Sequence, residues 1–522
     1  MSGGRTGALR SLAVCSAFAA ALYGTHVTGG GRYLDDWWLG AYVRFPTELG
    51  FANSADYLTF YSGARPGAVA YWLATYELFG FHDDLHRALN VALAALLGAT
   101  FYVLLRELRF ARLDAAAAVA LSLVLPVADS IRFWMTPGVA HLCLAACAGG
   151  FILALRALRT GDRRLHAASL ALFATSALLA ETMLPIIGLS LIVYRTQVAL
   201  RPALRRWALD AVLVVVAAAQ YAVSTPERTT TSAGLDGYLD HARVLGDQAL
   251  TLLTGTLVPL TLDRGWVVLG LLGLVAVALT RGGETARWLS VAGLAALLAL
   301  ASYAIYVPAN ASYQPLVPGV GNRVNIGALL PLCVLLVALA RASGSVVPSR
   351  QVLAACVVLA VVLVGALGAL RDDRRLWADA ARQQRTALDA LHTALPEPPR
   401  GAALIVLGVP GVVTKFERVA NRDVNVPVPV FSTWWELDSA VKLSYGRADL
   451  AAYPIWSYQP AQAACGVRHV YQLGLDGVRH ALAYGRVYVV DVAAVRANRL
   501  DSQDDCRRFV ENGTTIRYDL AV

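Results

Sequence analysis

Tyr33-Leu34-Asp35-Asp36-Trp37-Trp38 follows the first long apolar segment of the chain almost without a gap. Two adjacent carboxylates stand there beside two tryptophans. If the preceding segment spans a membrane, the stretch lies at its surface, in the zone where tryptophan collects. A carboxylate near lipid is costly unless solvated or paired, so its placement invites a functional reading. The plain alternative is a wet loop within an aromatic belt.

The rest of the chain decides whether that segment spans. Of 522 residues, 57% are hydrophobic and only 16% charged, and mean hydropathy is +0.53. Soluble domains are about 25% charged, so this composition implies a polytopic membrane protein. The net charge of +9 is almost all arginine, with Lys415 and Lys442 the only lysines. The arginines cluster at the ends of apolar segments, which is a topology signal and not a nucleic-acid stripe. The seven cysteines show no metal-binding spacing. Cys15, Cys143, Cys147, Cys333 and Cys356 fall in apolar segments and read as packing residues. Arg5 and Arg10 precede the apolar run Leu12 to Tyr23 as in a signal peptide. No small-residue cleavage site follows, so the run reads as a retained first helix.

Apolar segments fall near 9–25, 86–105, 113–131, 138–158, 166–181, 183–194, 208–223, 266–280, 288–306, 326–340 and 351–370. The fold class expected is a mainly α-helical polytopic membrane protein with about eleven transmembrane helices, long outer loops and a C-terminal external α/β domain. Pro185 is placed to break or kink the short 183–194 run. With a cytoplasmic N-terminus, every inner loop is basic: Arg106, Arg109 and Arg112; Arg156, Arg159, Arg163 and Arg164; Arg195, Arg201, Arg205 and Arg206; Arg281 and Arg287; Arg341 and Arg350. An odd number of crossings then puts Asp35, Asp36 and everything after 371 outside. The expected domains are 1–370, containing the first outer loop 26–85, and a water-facing domain 371–522.

Within the first outer loop, Ala68 to Phe79 is apolar and aromatic but too short to span securely. An interfacial or re-entrant helix fits, with Pro66 as its first-turn residue. His82, Asp83, Asp84, His86 and Arg87 lead into the next helix as a polar rim, a solvated helix start or, least well, a metal cluster. Asp129 and Arg132 are spaced to pair on one helical face. Glu181 lies between two apolar runs, as a buried hydrogen-bonding acid or a substrate contact. Residues 224–265 form a second outer region, part of it apolar enough for another interfacial helix. A third outer loop, 307–325, holds Tyr313, Pro315, Pro318, Gly319, Gly321, Asn322 and Arg323. Arg323 opposes the positive-inside trend; it either snorkels to headgroups or grips an anion.

In the tail, Arg371 to Leu395 is helical and Pro396-Glu397-Pro398-Pro399 stops it. Ala402 to Val409 and Val487 to Val492 read as buried strands. Cys465 and Cys506 can form a disulfide in an oxidising compartment. Phe431, Trp434, Trp435, Tyr453, Trp456 and Tyr458 either stack on sugar faces or build an ordinary core.

The sequence contains no Walker loop, no dinucleotide fingerprint and no Gly-x-Ser-x-Gly elbow. Acids are not spread through the middles of several helices, and no inverted repeat is clear, so a proton-coupled carrier is not indicated.

Leu34-Asp35-Asp36-Trp37-Trp38, with Arg65-Pro66, resembles the membrane glycosyltransferases of the C-type fold. That family carries a paired-acid motif in its first outer loop, followed by short juxtamembrane helices. The resemblance implies a polyprenyl-phosphate sugar donor and a cell-envelope glycan or glycolipid acceptor. It further implies a bacterial plasma membrane, with the tail external. Phosphate leaves without a protonating acid, so one carboxylate suffices as the base for the acceptor hydroxyl. Hydrolytic glycosidases need two spaced carboxyl groups. Adjacent aspartates on a helix point about 100° apart and should not share a role. Asp35 is the expected base. Asp36 binds acceptor hydroxyls, orients Asp35 or holds a divalent ion, Mg or Mn. Arg65 or Arg323 neutralises the departing phosphate. Trp37, Trp38, Tyr71, Trp72, His82 and Glu181 complete the expected substrate contacts. Three other classes stay open: a lipid-linked glycan transporter or flippase, another outer-surface transferase moving an acyl or phospho group, and a noncatalytic cell-envelope interaction protein.

Overall fold

The computed structural model describes residues 2–224, 235–236, 239–240, 242–243, 270, 272–278, 283–306, 319–419, 422–456, 463–474 and 477–511. Most of the expected second outer region and 266–280 segment, with Tyr313, Pro315, Pro318 and Tyr458, lies outside them. The chain divides into two compact units. The first comprises Met1–Thr28, Ser62–Arg375 and Lys415–Val426; the second comprises Gly29–Tyr61, Leu376–Thr414 and Pro427–Val522. This division departs from the expected cut at 371, because Gly29–Tyr61 groups with the tail.

Unit 1 is helical. Among the described residues, six helices are long and apolar enough to cross a membrane: Leu9–Gly29, Asp83–Glu107, Thr136–Thr160, Leu200–Ser224, Gly283–Ile305 and Gln351–Ala394. Where eleven spans were expected, the described residues hold six such helices, and the physical causes of the difference are in part local. The helix Arg112–Val124 stops one residue before Leu125-Pro126, because proline disfavours helical backbone at the residue before it. At 1.5 Å per residue it is about 20 Å long, short of a hydrocarbon core of about 30 Å. The 183–194 run breaks into Glu181–Met183, Leu184–Gly188 and Ser190–Arg195, around Pro185 and Gly188. Leu329–Ser345 is apolar but shorter than the six.

Arg206 does not lie in an exposed inner loop as expected. Its guanidinium pairs with Asp210 at 2.7 Å, with both side chains buried. Tyr194 and Ser190 donate hydroxyls to Asp210 at 2.6 and 2.9 Å, and Arg206 donates to Ser169 Oγ at 2.7 Å. This network ties Leu200–Ser224 to Ser190–Arg195 and Arg163–Leu179. A buried ion pair is tolerated only when such hydrogen bonds satisfy its remaining polar atoms.

Helix Gln351–Ala394 runs unbroken through the expected boundary, because no Gly or Pro lies between 371 and 394. It ends just before the predicted proline cluster. In unit 2, Ala403–Leu407 pairs in parallel with Ala451–Ile455 on one side and Val487–Asp491 on the other. Arg496–Leu500 closes the far edge antiparallel. The two runs read from sequence as buried strands are therefore hydrogen-bonded neighbours. Helix Trp434–Tyr445 connects the sheet and packs on Ala451–Ile455. A three-stranded antiparallel sheet, Ala463–Cys465, His469–Gly474 and Gly477–Ala483, completes the α/β arrangement. Cys465 and Cys506 form a disulfide, with Cα atoms 5.8 Å apart. Cys15, Cys143, Cys147 and Cys333 are buried free thiols, as packing residues should be.

Candidate functional site

The acid pair opens helix Asp35–Arg44 in unit 2. Its first turn is held from three sides. Gly31 packs against helix Gln351–Ala394 so closely that a Cβ there would stand 2.7 Å from Ala381 Cβ. The Tyr33 hydroxyl donates to the Trp377 carbonyl at 2.7 Å, and their rings meet edge-on at 4.7 Å. Leu34 N–H donates to Glu436 Oε1 at 3.1 Å. Leu34 adopts φ 41°, in the region that favours glycine, so this backbone is strained.

The two aspartates separate in role. Asp36 is 1% exposed, and its Oδ2 accepts Tyr33 N–H at 3.1 Å. That contact caps the helix start. Asp36 is the acid for which acceptor hydroxyls, Asp35 or a divalent ion were the expected partners; the contact seen is with the backbone. Among the described residues no group of three His, Cys, Asp or Glu side chains could hold a metal ion. Asp35 is half-buried. Trp37 packs on Phe431 with centroids 6.0 Å apart and carries the Arg32 guanidinium over its ring at 5.4 Å. Its indole N–H is buried and finds no hydrogen-bond partner among the described residues. Trp38 belongs to a cluster with Tyr42, Tyr57, Tyr61 and Trp435.

Sequence reasoning missed Glu436. It is fully buried, takes Leu34 N–H and Gln384 Nε2 on Oε1, and takes Ser432 N–H on Oε2 at 2.7 Å. Burial pushes its carboxyl up to about 7, against backbone hydrogen bonds from Leu34, Ser432 and Phe431 that pull it down. The available signal was a second acid beside two tryptophans, Trp434-Trp435-Glu436. Phe431 also has a positive φ, 57°, and its carbonyl accepts the Trp456 indole at 3.0 Å. Among the described residues four non-glycine positions have positive φ, and two of them, Leu34 and Phe431, offer backbone hydrogen bonds to Glu436. Phe431, Tyr453 and Trp456 are core residues, whereas Trp434 and Trp435 are half-exposed.

The other expected site residues lie in unit 1. Arg65 precedes helix Pro66–Phe79, which starts at the expected proline. Arg65 Nε donates to Glu181 Oε2 at 2.7 Å, and Nη2 pairs with Oε1. The guanidinium fork lies on this carboxylate, so Glu181 matches the first of its two expected roles, a buried hydrogen-bonding acid. Trp72 is buried and donates to the Thr136 carbonyl at 3.3 Å, a packing role. Tyr71 is half-buried, and His82 is exposed ahead of helix Asp83–Glu107. Arg323 stands over the Trp134 ring at 5.3 Å.

Arg323 sits where three interrupted helical segments meet. Asn322 donates to Asp129, and its Oδ1 accepts Ser130 N–H at 3.2 Å. Asn325 donates to the Val127 carbonyl at 2.7 Å and accepts the Tyr303 hydroxyl at 2.6 Å. Arg132 donates to the Leu125 and Ser122 carbonyls at 2.7 and 2.6 Å, satisfying the end of the helix that Pro126 cuts short. Irregular backbone at membrane depth needs such internal partners. Asn322 and Asn325 here fasten one segment to another; the tyrosine and asparagine contacts were not legible in the local pattern.

Asp35 and Asp36 with Trp37 and Trp38 therefore belong to unit 2. Arg65, Tyr71, Trp72, His82, Glu181 and Arg323 belong to unit 1. No protein-family model matches the chain, and no curated protein matches it. Neither comparison ties it to the C-type glycosyltransferases.

Proposed function

We propose that this chain transfers a sugar from a polyprenyl-phosphate donor to a glycan or glycolipid acceptor at the outer face of a bacterial plasma membrane. The observation that carries the reading is the division of labour in the acid pair. Asp36 is spent on capping Tyr33 N–H, whereas Asp35 remains half-buried at the start of the same helix. The strained Leu34 backbone immediately before Asp35 supports it, because strain persists where the surrounding structure holds a residue for use. The buried Trp37 indole N–H, without a hydrogen-bond partner among the described residues, is a donor suited to a hydroxyl-bearing ligand.

In this reading Asp35 takes the proton of the acceptor hydroxyl as its oxygen attacks the anomeric carbon. The bond from that carbon to the phosphate oxygen breaks, and the lipid phosphate leaves with the electron pair. The charge of the departing phosphate calls for a guanidinium, which can grip it through paired charge-assisted hydrogen bonds; Arg65 is already paired with Glu181. The N-terminus is cytoplasmic and the tail external.

The test uses purified full-length protein with a polyprenyl-phosphate sugar, followed by lipid-phosphate release and glycan product. Asp35→Asn keeps the shape and removes the base, so turnover should fall about two to four orders of magnitude, with little change in donor binding. Near-normal turnover in the folded variant would remove Asp35 as the base. No release with any donor would leave the transporter or interaction-protein classes.

A further inference from the structure

Unit 1 holds a half-open cavity of about 690 Å³. Its walls are apolar, among them Leu105, Phe151, Met183, Leu294 and Val334. Its charged residues are Arg106, Arg109, Arg287 and Arg341, with Asp114 and Glu284, so four cations face two anions. The size lies in the range of ordinary ligand pockets.

Charge and length together describe the occupant. Asp114 is already used by Arg341, at 2.6 Å. Arg106 donates to the Phe110 carbonyl, and Arg287 lies over the Trp288 ring at 5.9 Å. Among the described residues, neither Arg109 nor Arg287 has a carboxylate within ion-pair distance. Arg109 also adopts φ 67°, a left-handed conformation that favours glycine, so an arginine is held at the rim against its backbone preference. Along helix Leu329–Ser345 the lining runs from Leu330 to Arg341. That distance is about 16 Å at 1.5 Å per residue, roughly half of a hydrocarbon core of about 30 Å. The apolar wall is thus one leaflet deep, with uncompensated guanidinium charge at one end.

We propose that this cavity binds an anionic glycerophospholipid of the arginine-side leaflet, its tail along the apolar wall and its phosphate on Arg109 and Arg287. A lipid of that leaflet enters with tail and phosphate already at the right depths. A free phosphate would leave the wall uncovered, and a carrier tail much longer than one leaflet would overrun it. Guanidinium forks hold phosphate through paired charge-assisted hydrogen bonds.

The test is native mass spectrometry of the full chain, given phosphatidylglycerol, phosphatidylcholine or polyprenyl phosphate at equal concentration. Both lipids carry the phosphate, but the choline cation would be repelled by the arginines, so phosphatidylglycerol should be retained about tenfold over phosphatidylcholine. Arg109→Gln with Arg287→Gln should erase that preference. Ala148→Trp, filling a buried wall position, should lower retention of every lipid. Equal retention of phosphatidylglycerol and phosphatidylcholine, or a preference that survives the double arginine variant, would overturn the proposal. So would polyprenyl phosphate displacing phosphatidylglycerol. If the tryptophan variant does not fold, the arginine pair still decides.

Discussion

At the scale of residues, neighbours in sequence are set apart by what each touches. Asp36 is buried and caps a helix start; Asp35 is half-buried one position earlier. Asp36→Ala should therefore act on stability, because it leaves Tyr33 N–H buried without an acceptor. The expected cost is about 1–3 kcal/mol, and Asn, which keeps an acceptor oxygen, should cost less. Thermal unfolding of the purified chain measures both; equal effects of Ala and Asn would refute the capping role. Glu436 gives a pH signature. Its folded carboxyl titrates near 7, raised from 4.5, so the folded state favours the protonated form. Its contribution is complete below pH 4.5, declines as pH rises to about 7 and is level above that. The loss amounts to at most about 3 kcal/mol. Glu436→Gln should flatten this part of the stability profile; an unchanged slope would show that another group causes it.

At the scale of elements, interrupted helices shape unit 1. Pro126, Pro185 and Gly188 interrupt apolar runs; around Pro126 the freed polar groups are satisfied by Arg132, Asn322 and Asn325, and the Gly188 carbonyl accepts the Trp207 indole N–H. One element is fastened by charge instead. Arg206 and Asp210 are buried together, and each depends on the other for its cost to be met. Asp210→Ala should destabilise by about 3–5 kcal/mol by stranding the guanidinium. Combining it with Arg206→Leu should recover much of the loss, since neither charge then needs a partner. Chemical unfolding in detergent distinguishes the cases, and a single variant within experimental error of the parent would mean that the network contributes nothing net.

At the scale of the whole molecule, the chain alternates between two units. Gly29–Tyr61 is inserted early in the sequence but belongs with Leu376–Thr414 and Pro427–Val522. The disulfide in that unit joins residues 41 apart in sequence. Closing such a loop stabilises by about 4 kcal/mol in the chain-entropy account. With the proposed orientation, a C-terminal reporter should be active outside the membrane, and nonreducing peptide mapping should find Cys465 bonded to Cys506. A cytoplasmic reporter with both thiols free would reverse the orientation and place Asp35 away from an external acceptor.

The sequence by itself determined what depends on local composition. Apolar runs specified a helical membrane protein, Pro66 began a helix, Pro396 ended one, and the β-branched runs at 402–409 and 487–492 became strands. Hydropathy counted eleven segments where six long helices stand among the described residues, in part because it does not register how Pro126 and Pro185 divide an apolar run. Only the tertiary structure decided the partners. Arg65 and Glu181 are 116 residues apart, and Leu34 and Glu436 are 402 apart. Such pairings come from packing between distant segments, and no spacing within either segment encodes them. The acid pair was legible as a motif, but which aspartate turns inward was set by Tyr33, Trp377 and Glu436 closing around the first turn.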